Sequence, residues 1–141
     1  MLHNNIKPRT LLSNLWIFIL FNMILRDLHE FPTEGYIEEM MSLKLSEEVM
    51  LFYAFIVEIP ILMLVLSRTL NNQANKWTNT IAVIISSIGI VYTLPSGDLD
   101  DIFFAIVNAV ALLFIFLTAW KLPVLDNAQK LKDMQKRSSY L

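Results

Sequence analysis

A few side chains stand where their chemistry is out of place. Asn22, Arg26 and Asp27 close a first long apolar run, Glu58 interrupts a second, and Asn108 sits inside a fourth. Polar and ionisable groups in hydrocarbon are costly, so they turn toward a bundle interior or a wet cavity and mark candidate functional sites. Glu58 is the sharpest of them. It is the only charge in its run, and Pro60, two residues on, removes a backbone donor and frees a carbonyl nearby. Three readings stay open for it. It can pair with Arg26 across two helices. It can stay neutral with one hydrogen-bond partner, since burial disfavours the charged carboxylate. Or it can bind a ligand or carry a proton. Asn22 and Asn108 suit hydrogen bonds between helices.

Depth brings these groups together. At about 1.5 Å per residue, Asn22 and Glu58 each lie roughly 13 Å inside the same boundary, and Asn108 roughly 9 Å. Arg26 stands one turn above Asn22, with a stem long enough to reach down or up. With Asp27, Tyr53 and Tyr92 they form a candidate ligand site in one half of a bundle. Such a site would take a lipid-like or cationic amphiphile, its amine or hydroxyl paired with the carboxylate. A small proton-coupled transporter using Glu58, an accessory subunit without ligand, and an isomerase are the competing classes. The isomerase is the weakest, because acid–base work wants groups on both sides of a substrate.

The elements that must hold these residues are long and apolar. The chain has 141 residues, 55% hydrophobic and 17% charged, where a soluble domain carries nearer a quarter charged. Leu11 to Phe31, Val49–Leu66, Trp77–Leu94 and Ile102–Trp120 each approach the ~20 residues that cross a bilayer. Two-residue alternation is absent, and backbone in lipid must satisfy itself, so each run is expected to be a helix. The fold class expected is all-α, a polytopic membrane protein with a four-transmembrane-helix antiparallel bundle. Residues 1–10 would form a cytoplasmic amino-terminal segment, 11–122 the transmembrane domain and 123–141 a basic cytoplasmic tail. The first run follows Lys7 and Arg9 like a signal peptide, but no small-x-small cleavage site follows it, so it reads as a retained helix.

Charge sets the orientation. Of 11 Lys and Arg residues, Lys7, Arg9, Arg68, Lys76, Lys121, Lys130, Lys132, Lys136 and Arg137 fall on one side, leaving Arg26 and Lys44 for the other. That other side carries Asp27, Glu30, Glu34, Glu38, Glu39, Glu47, Glu48, Asp98, Asp100 and Asp101. The basic side is expected in the cytoplasm, with both termini, in the inner cell membrane. Trp77 and Trp120 fall at that boundary, where indoles settle.

Between the runs, Ser46 is placed to cap the second helix and Pro95-Ser96-Gly97-Asp98 to turn tightly. Ile37, Met40, Met41 and Leu45 suggest a short interfacial helix. Leu125, Leu131 and Met134 among lysines suggest either a surface helix on an anionic leaflet or a solvated tail. Thr78, Ala82, Ser86, Gly89 and Thr93 make a small-residue stripe for close packing, with Ser86 placed to bond its own helix backbone.

Several chemistries are excluded or disfavoured. With no cysteine there is no disulfide, thiolate catalysis or cysteine metal site. His29 beside Asp27 and Glu30 matches no metal-ligand spacing. No phosphate loop, dinucleotide motif or HExxH occurs, so no cofactor is expected. The basic residues belong to a membrane face, so lipids, an amphiphile or further copies of the chain are the partners in view, and nucleic acid is not.

Three stretches together carry a resemblance: Leu12-Ser13-Asn14-Leu15-Trp16, Glu58-Ile59-Pro60 through Leu66-Ser67-Arg68 with Asn75-Lys76-Trp77, and Ile102-Phe103-Phe104 closing with Ala119-Trp120-Lys121. Over about residues 9–123 the chain resembles a family of small four-helix bacterial membrane proteins of unknown function. That family often has an acid at the position of Asn108, a departure that argues against residue 108 as an essential titrating group. More distantly the layout is similar to DoxX-like proteins and the emopamil-binding fold. Some of the latter hold sterol-like or amine ligands with acids on their first two helices, in places comparable to Asp27 and Glu58; the likeness is one of fold alone.

Overall fold

The computed structural model describes residues 7–93, 99–123 and 135, apart from the side chains of 92 and 93. It is all-helical over these residues: α1 spans Pro8–Glu30, α2 Tyr36–Ser42, α3 Glu47–Thr69, α4 Asn72–Thr93 and α5 Leu99–Trp120. The expected turn at residues 95–98 and the expected tail helix lie outside the described residues.

Local chemistry explains the helix limits. Pro8 opens α1 at a position whose N–H would have no partner anyway. Ser46 caps α3, its hydroxyl accepting from the Val49 N–H at 3.5 Å, and Glu47 and Glu48 follow at the positive helix start. Gly35, at φ +84°, turns the chain into α2 through backbone that other residues resist. Asn71 caps α4 by accepting from the Ala74 N–H at 2.8 Å. This helix therefore starts five residues before the apolar run that predicts it, drawing Asn72, Asn75 and Lys76 into its first turns.

The long helices close a ring: α1 packs on α3 and α5, and α4 packs on α5 and α3. One end of the ring is basic, with Lys7, Arg9, Arg68, Lys76 and Lys121; the other is acidic and carries α2. Among the described residues, α1, α3 and α5 are long and apolar enough to cross a membrane, which fits a multi-pass membrane protein. The 22-residue α4 matches them in length but carries Asn72, Gln73, Asn75, Lys76 and Asn79.

The core is densest at the basic end. Leu12, Trp16, Ile115 and Ala119 are fully buried there, with Met63, Ala82 and Leu112 close to it. Most other large apolar side chains, such as Phe55, Leu62, Ile88 and Phe114, face outward. In water this surface would be a liability; in lipid it is solvated, and helices associate through packing and hydrogen bonds instead.

Candidate functional site

Polar groups gather at two levels of the ring. At the basic end they form a closed neutral network. The Trp16 indole N–H donates to Asn79 Oδ1 at 2.8 Å, and the Ser67 hydroxyl donates to the same oxygen at 3.5 Å. The Asn79 amide donates to the carbonyl and side-chain oxygens of Asn75, one turn back. The Asn75 amide donates to the Ser67 carbonyl at 2.6 Å, and the Ser13 hydroxyl to the Leu64 carbonyl at 2.9 Å. Ser13, Trp16, Ser67, Asn75 and Asn79 are all fully buried, and the network joins α1, α3 and α4. Beyond it, Arg9 donates twice to Asn72 Oδ1, at 2.9 and 2.7 Å, and Asn72 donates to the Pro123 carbonyl at 2.7 Å. The Lys76 ammonium lies 3.7 Å over the Trp120 ring, a cation–π contact.

Toward the acidic end the helices part. A cavity of about 740 Å³ opens there, lined by all five helices. That volume falls within the range of sites for small organic ligands. Small facing residues leave the space: Ser86 and Gly89 on α4, Ala105 on α5. Gly89 also lets α3 and α4 approach, since a Cβ there would stand 3.3 Å from the Ile56 side chain. Most of the wall is apolar, including Ile19, Met23, Ile56, Ile90 and Leu112. Met40, Leu43 and Leu45 reach it from α2 and the segment after it.

Charge is confined to one part of that wall. Arg26 Nε lies 2.6 Å from Asp101 Oδ1 and 3.4 Å from Glu30, one helical turn on. Asp101 is buried beside this guanidinium. Asp27 lines the cavity beside them. Three carboxylates thus face one guanidinium. Burial first, and then a hydrogen bond to Glu30, pushes the Tyr36 hydroxyl up to about 12, keeping it a donor from α2. The Ser86 hydroxyl is buried with no hydrogen-bond partner among the described residues. It does not bond its own backbone; Ser87 does, donating to the Val83 carbonyl at 2.8 Å.

The sequence-predicted site residues separate into groups. Arg26, Asp27, Tyr53 and Asn108 line the cavity. Asn22 is turned away to clamp α1 to α5, donating to Asn108 Oδ1 at 2.8 Å and to the Phe104 carbonyl at 3.3 Å. Tyr92 has a side chain outside the described residues. Glu58 is neither in the cavity nor beside Arg26. It is exposed on the outward face of α3, because Pro60, Met63 and Ser67 form the packed face, so the Arg26–Glu58 ion pair does not form and the guanidinium is held by Asp101 and Glu30. No group of side chains suited to a metal ion occurs among the described residues, and His29 instead lies 3.5 Å from Asp100.

Sequence reasoning passed over Asp101, Ser86 as an unpartnered group, and the whole asparagine network. A signal for the network was present. Asn72, Asn75, Asn79, Ala82, Ser86, Gly89 and Thr93 recur at alternating spacings of three and four, one continuous helix face. Starting the helix at Trp77 cut that face in half.

The fold and the cavity define an all-helical protein with several membrane-length apolar helices around an internal, charge-edged pocket. The chain belongs to a family of unknown function (DUF6326), whose model matches residues 1–126. No curated protein and no solved structure matches the chain, so the distant likeness to DoxX-like proteins and the emopamil-binding fold carries no argument.

Proposed function

We propose that all four long helices cross the inner membrane of a bacterial cell as an antiparallel bundle, and that the bundle binds a small amphiphile with an apolar body and a cationic head. The fourth crossing is supported by α4 itself. It equals its neighbours in length, packs between α3 and α5, and turns Asn75 and Asn79 inward, where they are bonded rather than exposed to lipid. The segregation of Lys7, Arg9, Arg68, Lys76 and Lys121 to one end supports cytoplasmic termini.

The cavity wall carries the ligand reading. An apolar chamber edged by three carboxylates against one guanidinium suits an amine with a hydrocarbon tail. Arg26 is engaged by Asp101 and Glu30, which leaves the Asp27 carboxylate as the group to receive an ammonium. Low-dielectric surroundings strengthen that pair. The Ser86 hydroxyl, buried in the chamber wall, can turn to supply a second polar contact. Proton transport through Glu58 draws no support from a carboxyl group outside the cavity.

Thermal unfolding in detergent tests the proposal. Dodecylamine should raise the midpoint saturably, by the equivalent of about 2.7 kcal/mol at a hundredfold excess over Kd. Dodecanol should do less, and Asp27→Asn should erase the difference between them. Ala105→Phe, which fills the chamber, should abolish both effects. An amine response unchanged by Ala105→Phe, or no response to either probe, would end this reading.

A further inference from the structure

Glu58 is a carboxylate in the middle of α3 that does not line the cavity. It stands at the midpoint of α3, eleven residues from Glu47 and eleven from Thr69, so both helix ends lie roughly 16 Å away. It points outward, with no hydrogen bond or ion pair to any described residue. A lipid-facing carboxyl at that depth is costly in either protonation state unless another group meets it. Its surroundings on the helix are ordered. Leu51, Phe55, Glu58, Leu62 and Val65 follow spacings of four, three, four and three, and the four apolar members are 61%, 68%, 53% and 57% exposed. These spacings place the five residues on one stripe of α3, and a single polar residue inside an apolar helix–helix contact fixes its register.

We infer that this face of α3 docks on α3 of a second copy of the chain, with the two Glu58 side chains meeting at the centre. Depth selects the occupant. A partner must offer a hydrogen-bonding group at the middle of the bilayer. A second copy inserted in the same orientation places its own Glu58 at that depth, on the same face, across a two-fold axis along the membrane normal. The chemistry is self-complementary. A carboxyl that carries its proton both donates and accepts, so two such groups, or two amides in their place, satisfy each other reciprocally. A basic residue supplied by a different protein is the competing occupant. The seam is independent of the cavity, which opens on the other side of α3.

The natural chain has no cysteine, so single cysteines report cleanly. In native membranes under mild oxidation, Phe55→Cys and Leu62→Cys should form disulfide-linked dimers. Ile106→Cys, at matching depth on the outward face of α5, should not. Adding Glu58→Leu should lower dimer yield about five- to thirtyfold, the equivalent of the about 1–2 kcal/mol of an interhelical hydrogen bond. Glu58→Gln keeps both a donor and an acceptor and should preserve dimers, which separates lost pairing from lost folding. Ala105→Phe should leave cross-linking intact, so failure of the ligand reading would not mimic failure of this one. Equal cross-linking at Ile106, no cross-linking at either seam position, or a constant heavier adduct with another protein would overturn the inference.

Discussion

The two ends of the bundle use polar residues in opposite ways. At the basic end, Trp16, Ser67, Asn75 and Asn79 are neutral, fully buried and bonded to one another. At the acidic end, Arg26, Glu30 and Asp101 are ionisable and border a cavity, and the Ser86 hydroxyl has no hydrogen-bond partner among the described residues. Both ends would look alike on a count of polar residues in membrane helices. What separates them is satisfaction. A closed network rigidifies the place it occupies, whereas the ionisable groups at the other end line an open cavity. Intramembrane polarity is therefore a weak guide to function until the partners are known.

The largest effect should come from cutting the closed network. Asn79→Leu leaves the Trp16 indole N–H and the Asn75 side-chain carbonyl facing an apolar side chain, and should cost about 3 kcal/mol in a denaturant titration in mixed micelles. Asn108→Leu is the matching cut near the cavity. It should cost only about 1 kcal/mol, because Asn22 still has the Phe104 carbonyl. Equal losses at the two positions would break the contrast.

That contrast also explains what could be read from the sequence and what could not. Helices are dictated by lipid and by run length, so α1, α3 and α5 were legible, as were the Ser46 cap and a short helix before it. The start of α4 was not, since Asn72, Asn75 and Asn79 lower the hydropathy of its first turns, although Asn75 and Asn79 are buried and bonded to other helices. Depth along the chain was estimated well enough to place Arg26, Asp27 and Asn108 near one another. Direction around the helix was not. Glu58 sits at the expected depth but on the far side of α3, because the packed face is set by Pro60, Met63 and Ser67. The residues that carry the family resemblance tell a related story. Ser13, Trp16, Ser67 and Asn75 make buried hydrogen bonds of the scaffold, while Glu58, from the same stretches, faces outward.

A second cut should be intermediate. Arg26→Met removes the guanidinium from the buried Asp101 carboxylate and should cost about 2 kcal/mol, less than a fully buried ion pair because Arg26 remains partly exposed. Asp101→Asn added to it should recover part of that loss, giving a coupling of about 1 kcal/mol in a double-mutant cycle. Additive losses would mean that the acidic end is held by packing and not by its charges.

The smallest effect is the most discriminating, because its sign differs between the two ends. Ser13 and Ser86 are both small hydroxyls on buried helix faces. Ser13 donates to the Leu64 carbonyl on the neighbouring helix, and Ser13→Ala should cost about 0.6 kcal/mol, a typical interhelical hydrogen bond in lipid. Ser86 has nothing to lose, and Ser86→Ala should be neutral or stabilising by up to ~1 kcal/mol, as removal of an unsatisfied buried group allows. With dodecylamine bound the order should reverse: the Ser86→Ala protein should gain less from the ligand than the natural chain does, while Ser13→Ala should gain as much. A Ser86→Ala loss equal to that of Ser13→Ala, without ligand, would mean that its hydroxyl is already bonded, and the acidic end would then be as closed as the basic one.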